Sequence, residues 1–195
     1  MQVHAGGRRK GRVSRTAMGR LRRTVALVGM MGAGKSSIGR RLATKLDVPF
    51  HDADYEIEQA AGCSISEIFD RYGEPAFRDG ERRVIGRLLN EPPHILATGG
   101  GAFADEATRA AIGTKAISVW LKAPVDLLLA RVGRRETRPL LRDGDPRETL
   151  ERLLAQREPF YASADLCIES VDGPHSTAVD SIIEALAQRD LLEPE

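Results

Sequence analysis

The sequence predicts a three-layer α/β/α domain on a five-stranded, mostly parallel sheet, and three observations carry that prediction. Short apolar, β-branched runs alternate with stretches of helical period along residues 24–190. The first of these runs, 24–28, lacks the two-residue alternation of a half-exposed strand, as expected for a strand buried on both faces. It leads directly into a glycine-rich loop that opens a helix.

In chain order, residues 36–46 place Ile38, Leu42, Ala43 and Leu46 at helical spacing, and Pro49 ends that helix before a short strand at 49–52. Helical patterns follow at 55–61, 64–72 and 74–89, with Ser64 and Glu67 at the spacing of a capping box. A third strand, 94–97, ends in Thr98 and three glycines; helix 105–112 and strand 116–121 come next. Pro124 stands at the start of helix 125–132, where a missing N–H costs nothing. Residues 133–146 are arginine-rich and aperiodic. A helix at 147–161, a strand at 166–168 and a helix at 177–189 complete one domain, 24–190.

With 195 residues, 42% of them apolar, the chain can bury one core. Residues 1–23 hold eight of its Lys and Arg and no acid, so removing them from a formal net charge of +1 leaves the rest at −7. That stretch reads as a disordered basic tail. The acidic body argues against nucleic acid as a partner. Cys63 and Cys167 stand far apart, with no zinc-like spacing, which fits a reducing cytoplasm. The run 24–34 is short and broken by glycine, so neither a membrane span nor export is expected, and nothing suggests an obligate interface; a monomer is expected.

Residues 29–36, Gly-Met-Met-Gly-Ala-Gly-Lys-Ser, match G-x-x-x-x-G-K-[ST] between a buried strand and a helix, the context that this phosphate-binding loop requires. The backbone of Gly29, Met31, Gly32, Ala33 and Gly34 can turn its N–H groups onto phosphate oxygens, the helix start at Ser36 and Ser37 adds partial positive charge, and Lys35 adds a full one. Ser36 offers a magnesium ligand. The absence of an N-K-x-D motif favours ATP over GTP. Just past the second strand, Asp52-Ala53-Asp54 can direct two carboxylates the same way in an extended chain, one toward magnesium and one toward an acceptor hydroxyl.

Taken alone, Arg78 reads as a solvated helix residue, Gly99, Gly100 and Gly101 as a turn, and the arginines at 131–138 as a basic loop. Their order decides otherwise. The loop, the D-x-D, Ile68-Phe69, Gly73-Glu74, Phe77-Arg78 with Glu81, the triple glycine, Arg138-Pro139-Leu140-Leu141, and Arg157 with Tyr161 together resemble the shikimate kinase family from about residue 25 to 187. The resemblance implies a P-loop kinase fold that uses ATP and Mg2+ to phosphorylate the 3-hydroxyl of shikimate. It assigns Asp54, Arg78, Gly100, Gly101 and Arg157 to shikimate and Asp54 to the accepting hydroxyl. Arg138 becomes a lid arginine within 131–146, Arg131 an adenine stack, and Pro174 an adenine contact.

Residue chemistry agrees, since a hydroxylated carboxylate calls for guanidinium forks at one end and a carboxylate at the other. Gly99 joins the acceptor set through its backbone, and Glu81 supports Arg78. With no acid following 94–97, metal coordination falls on Ser36 and Asp52. Two rivals remain: another small P-loop kinase, for gluconate or a nucleoside monophosphate, and a non-catalytic module that binds these ligands as signals.

Overall fold

A computed structural model describes residues 20–132 and 145–193. Five strands form one parallel sheet in the order β2-β3-β1-β4-β5: β1 (Thr24–Val28), β2 (Phe50–Asp52), β3 (Ile95–Ala97), β4 (Ala116–Lys122) and β5 (Leu166–Glu169). Helices α1 (Lys35–Leu46), α2 (Ala53–Ala61), α3 (Ile65–Leu88), α4 (Glu106–Lys115), α5 (Val125–Val132), α6 (Pro146–Tyr161) and α7 (His175–Ala187) surround it. Every residue of β1 is buried, which is why its sequence does not alternate.

The register sets up the site. Leu27 lies opposite Ala97, and Ala97 opposite Asp52, so the carboxyl ends of β1, β3 and β2 finish in one row. The glycine loop, the triple glycine and the D-x-D continue from those three ends, the place where open α/β sheets bind ligands.

Several boundaries differ from expectation for local reasons. Helix α2 starts at Ala53 rather than at 55, because the Asp52 side chain accepts from Asp54 N (3.2 Å) and caps it. The D-x-D is therefore not extended: Asp52 closes β2 and Asp54 sits in the first helical turn. Asp145 likewise caps α6, whose first residue is Pro146. Helix α3 carries the expected capping box, with Ser64 Oγ accepting from Glu67 N and Glu67 Oε2 from Ser64 N. It breaks at Gly73 (φ 77°), between the two helical patterns that the sequence separates.

The basic tail was expected to run to residue 23, yet 20–23 belong to the folded body. Leu21 is buried, Leu21 and Leu192 form an antiparallel bridge, Arg22 N donates to Leu191 O and Glu193 N to Arg20 O. An apolar residue inside an arginine run can hide its stem only against the rest of the chain. Residues 1–19 lie outside the described residues.

Candidate active site

Three glycines shape the phosphate loop through positive φ: 130° at Gly29, 84° at Gly32 and 94° at Gly34. A Cβ on Gly29 would also stand 2.7 Å from Leu121 O, so β4 packs against the loop where only glycine fits. Lys35 opens α1 and is buried, its ammonium donating to Gly29 O (2.7 Å) and Met30 O (2.9 Å). Ser36 Oγ donates to Asp52 Oδ2 at 2.5 Å, joining the helix start to the end of β2.

Two clefts open at these strand ends. One, of about 370 Å³, is lined by Gly32, Gly34, Lys35, Ser36, Ser37, Thr98, Arg131 and His175. Arg131 bridges its far wall, donating from Nη1 to Ser170 Oγ (3.1 Å) and from Nη2 to Val171 O (3.2 Å), while Ser170 Oγ donates to Ala33 O. Pro174, expected against adenine, stands at the start of α7 beside this cleft; the residue that lines it is the next one, His175. Burial, Arg131 and Arg41 hold the His175 imidazole below its usual pKa. Arg134, Arg135 and Arg138, and with them residues 133–144 of the lid expected at 131–146, lie outside the described residues.

The second cleft, of about 700 Å³, lies between α2, α3 and the triple glycine. Arg78, Glu81, Arg157, Phe69 and Phe77 line it, together with Met31, which was expected on the nucleotide side. Arg78 is held by two carboxylates: Nη1 donates to Glu81 Oε2 (2.7 Å) and Nη2 to Glu74 Oε1 (2.9 Å). Glu81 is only 2% exposed, and its second oxygen, Oε1, has no hydrogen-bond partner among the described residues. Burial raises the Glu81 pKa, Arg78 and Arg157 lower it, and Asp54 raises it further. Arg157 is buried, with Nη1 unpartnered. Two opposite charges with spare hydrogen-bonding capacity, facing one cavity, make a seat for a ligand carrying both acceptors and donors.

Each glycine of the triplet is closely approached by a neighbour. A Cβ on Gly99 would lie 2.3 Å from Glu81 Oε1 and 3.1 Å from Asp54 Oδ1. On Gly100 it would meet Met31 N at 3.2 Å, and on Gly101 the Arg78 guanidinium at 2.6 Å. Four residues, Ser36, Asp52, Asp54 and Gly100, line both clefts, so the two cavities meet at the D-x-D.

The described site thus gathers the loop, Asp52, Asp54, Arg78, Glu81, the glycines, Arg131 and Arg157. Several lining residues have no site role in the sequence reading, among them Tyr55, Glu58, Ile65 and Ser66 in the larger cleft and Thr98 in the smaller. Thr98 makes both its N–H and its hydroxyl donate to Leu27 O, and only the strand register places it there. His175 closes the stretch 172–175 that the resemblance maps to the adenine side of the site; Pro174 was the contact expected from that stretch, and His175 is the residue of it that lines the cleft.

A family model described as shikimate kinase matches residues 31–187. A shikimate kinase of Caulobacter vibrioides is 61% identical over 166 residues, covering 85% of this chain and 83% of that protein. One from Bradyrhizobium diazoefficiens is 59% identical over 164 residues, covering 84% and 79%. Among solved structures, shikimate kinase from Acinetobacter baumannii in complex with shikimate is similar at a TM-score of 0.84 and 38% identity, covering 87% of this chain and 95% of that one.

Proposed function

Because the chain belongs to the shikimate kinase family, we propose that its two clefts are the nucleotide and acceptor halves of one phosphotransfer site. Its activity is transfer of the ATP γ-phosphoryl group to the 3-hydroxyl of shikimate, giving shikimate 3-phosphate and ADP, on the route to chorismate and the aromatic amino acids. The observation that carries the assignment is the meeting of the clefts at Ser36, Asp52, Asp54 and Gly100, where a phosphoryl group passes from one ligand to the other.

Most of the catalysis is positioning and charge neutralisation. In this reading the loop from Gly29 to Ser37 holds the phosphates with its backbone, and Lys35 leaves the Gly29 and Met30 carbonyls for the β- and γ-oxygens. Arg131 stacks on adenine, with Pro174 and His175 at its edge. Arg78 and Arg157 take the shikimate carboxylate, with Glu81 holding Arg78 in place; Gly99, Gly100 and Gly101 bring bare backbone to the ring. Asp54 aligns the 3-hydroxyl and accepts its proton. Arg138 covers the transferring group from the lid.

Ser36 Oγ and Asp52 Oδ2 fit a magnesium ion, which takes hard oxygens and is usually held by one or two protein ligands with phosphate and water. When bound, it neutralises charge on the phosphates. Among the described residues no cluster of three or more His, Cys, Asp or Glu side chains offers a rival site. We further propose a cytoplasmic monomer that binds no nucleic acid, a reading supported by the acidic body and two free cysteines. No described helix is long and apolar enough to cross a membrane.

ADP release with magnesium and ATP, compared across no acceptor, shikimate, gluconate and AMP, tests the assignment. Stimulation confined to shikimate is expected. Stimulation by gluconate or AMP would overturn the acceptor pocket, and stimulation by none would return the signalling-module alternative.

A further inference from the structure

Tyr161 is fully buried at the end of α6, one turn after Arg157 and on the same face. Its ring stacks on Trp120 with centroids 5.9 Å apart. Its hydroxyl does something that packing does not require: it donates to Gly100 O, with Met30 Sδ 3.7 Å away. One phenol thereby touches the triple glycine and the phosphate loop from beneath, while its helix carries Arg157 into the acceptor cleft. Burial pushes the phenol up to about 12, so it remains a donor across the working pH range.

The Gly100 carbonyl and the Gly101 N–H belong to one trans peptide and point in opposite directions. A carbonyl held on Tyr161 leaves the Gly101 N–H on the opposite side of that peptide, and both glycines line the acceptor cleft. Among the described residues, the Gly101 N–H donates to no protein acceptor. Rotated the other way, the peptide would show the acceptor an oxygen instead of a donor.

We infer that Tyr161 is a positioning residue for the acceptor: its hydroxyl fixes the Gly100–Gly101 peptide so that the Gly101 N–H faces shikimate. The inference rests on the acceptor cleft being the shikimate site. A phenylalanine keeps the ring on Trp120 and removes the hydroxyl, and with it the hydrogen bond to Gly100 O and the contacts with Met30 Sδ and Arg157, leaving the peptide free to turn.

The test is steady-state kinetics of full-length Tyr161→Phe beside the wild type, with thermal melting of both. Loss of one oriented hydrogen bond is expected to raise the KM for shikimate about tenfold, with the KM for ATP within about twofold. An unchanged shikimate KM, or both KM values rising together with a fall in melting temperature, would overturn the positioning role and leave Tyr161 a core residue. The wild type separates the two layers: without shikimate-dependent turnover the underlying assignment fails too, whereas an active wild type with an unaffected variant sinks only Tyr161. Should the variant not fold, amide exchange in the wild type decides. Slower exchange at Gly101 on adding shikimate supports the inference, and no change refutes it.

Discussion

Gly101→Ala is the most discriminating perturbation of the acceptor site. Gly101 has φ −99°, which alanine adopts freely, so the backbone carries no penalty. The added methyl would stand 2.6 Å from Arg78 Nη2 and 2.8 Å from Cζ, against ordinary contact beginning at 3.4 Å, so the guanidinium has to retreat by about 0.8 Å. Arg78 can do so, because it is the end of a flexible side chain and its partner Glu74 is exposed, but its 2.7 Å bond to the buried Glu81 stretches as it moves. The fold should therefore lose about 1 kcal/mol. Binding should suffer much more: misplacing a charge-assisted fork costs about 1.5–3 kcal/mol, or about 10- to 150-fold in the KM for shikimate. Gly99→Ala provides the contrast, because there the methyl meets Glu81 Oε1 at 2.3 Å, and a carboxylate only 2% exposed cannot withdraw. That variant should lose thermal stability as well as affinity. Initial rates over a shikimate series at saturating ATP, with melting curves, measure both. A Gly101→Ala enzyme with normal shikimate KM, or with an equal rise in ATP KM, would refute the packing of Arg78 as the cause.

Three further outcomes follow from the geometry. Asp54→Asn keeps the shape at the cleft junction but removes the proton acceptor, so turnover should fall about 10²- to 10⁴-fold while a nucleotide titration shows ATP still bound; near-normal turnover would remove Asp54 from the mechanism. His94 is fully buried, and burial is the largest cause holding its pKa below 6.5, so the neutral form contributes stability that is present above 6.5 and lost as pH falls through the depressed folded value; a melting temperature that drops from pH 7 to 5 in the wild type should drop less in His94→Gln. Removing residues 1–19 should leave turnover intact, whereas a truncation that also takes Leu21 should cost about 1.5–3 kcal/mol of stability by denaturant titration.

What the sequence made legible is what lies contiguous in it. The phosphate loop, the D-x-D, Arg78 with Glu81 one turn on, and the triple glycine each carry their chemistry within a few residues, and the periodicities that place them survive in β1, α1 and α3. Contacts between distant segments were not legible. Asp52 looked like one of two parallel carboxylates because its capping of α2 depends on where β2 stops, and Leu21 looked like tail because its partner, Leu192, is near the other end of the chain. Within 172–175, Pro174 looked like the adenine contact until α7 set His175 against Gly34.

The triple glycine shows why motif and contact have to be read together. As sequence it says only that bare backbone is wanted. In the structure Gly99 yields to Glu81, Gly100 to Met31 and Gly101 to Arg78, so each missing side chain is a place taken by another segment. The strand register makes those three intrusions simultaneous, since it ends β1, β2 and β3 in one row and leaves the loop, the carboxylates and the arginine fork nowhere to converge except over these glycines. Substitution at any one of them should therefore register in a different partner, and the pattern across the three, in affinity against stability, reads out which segment each glycine makes room for.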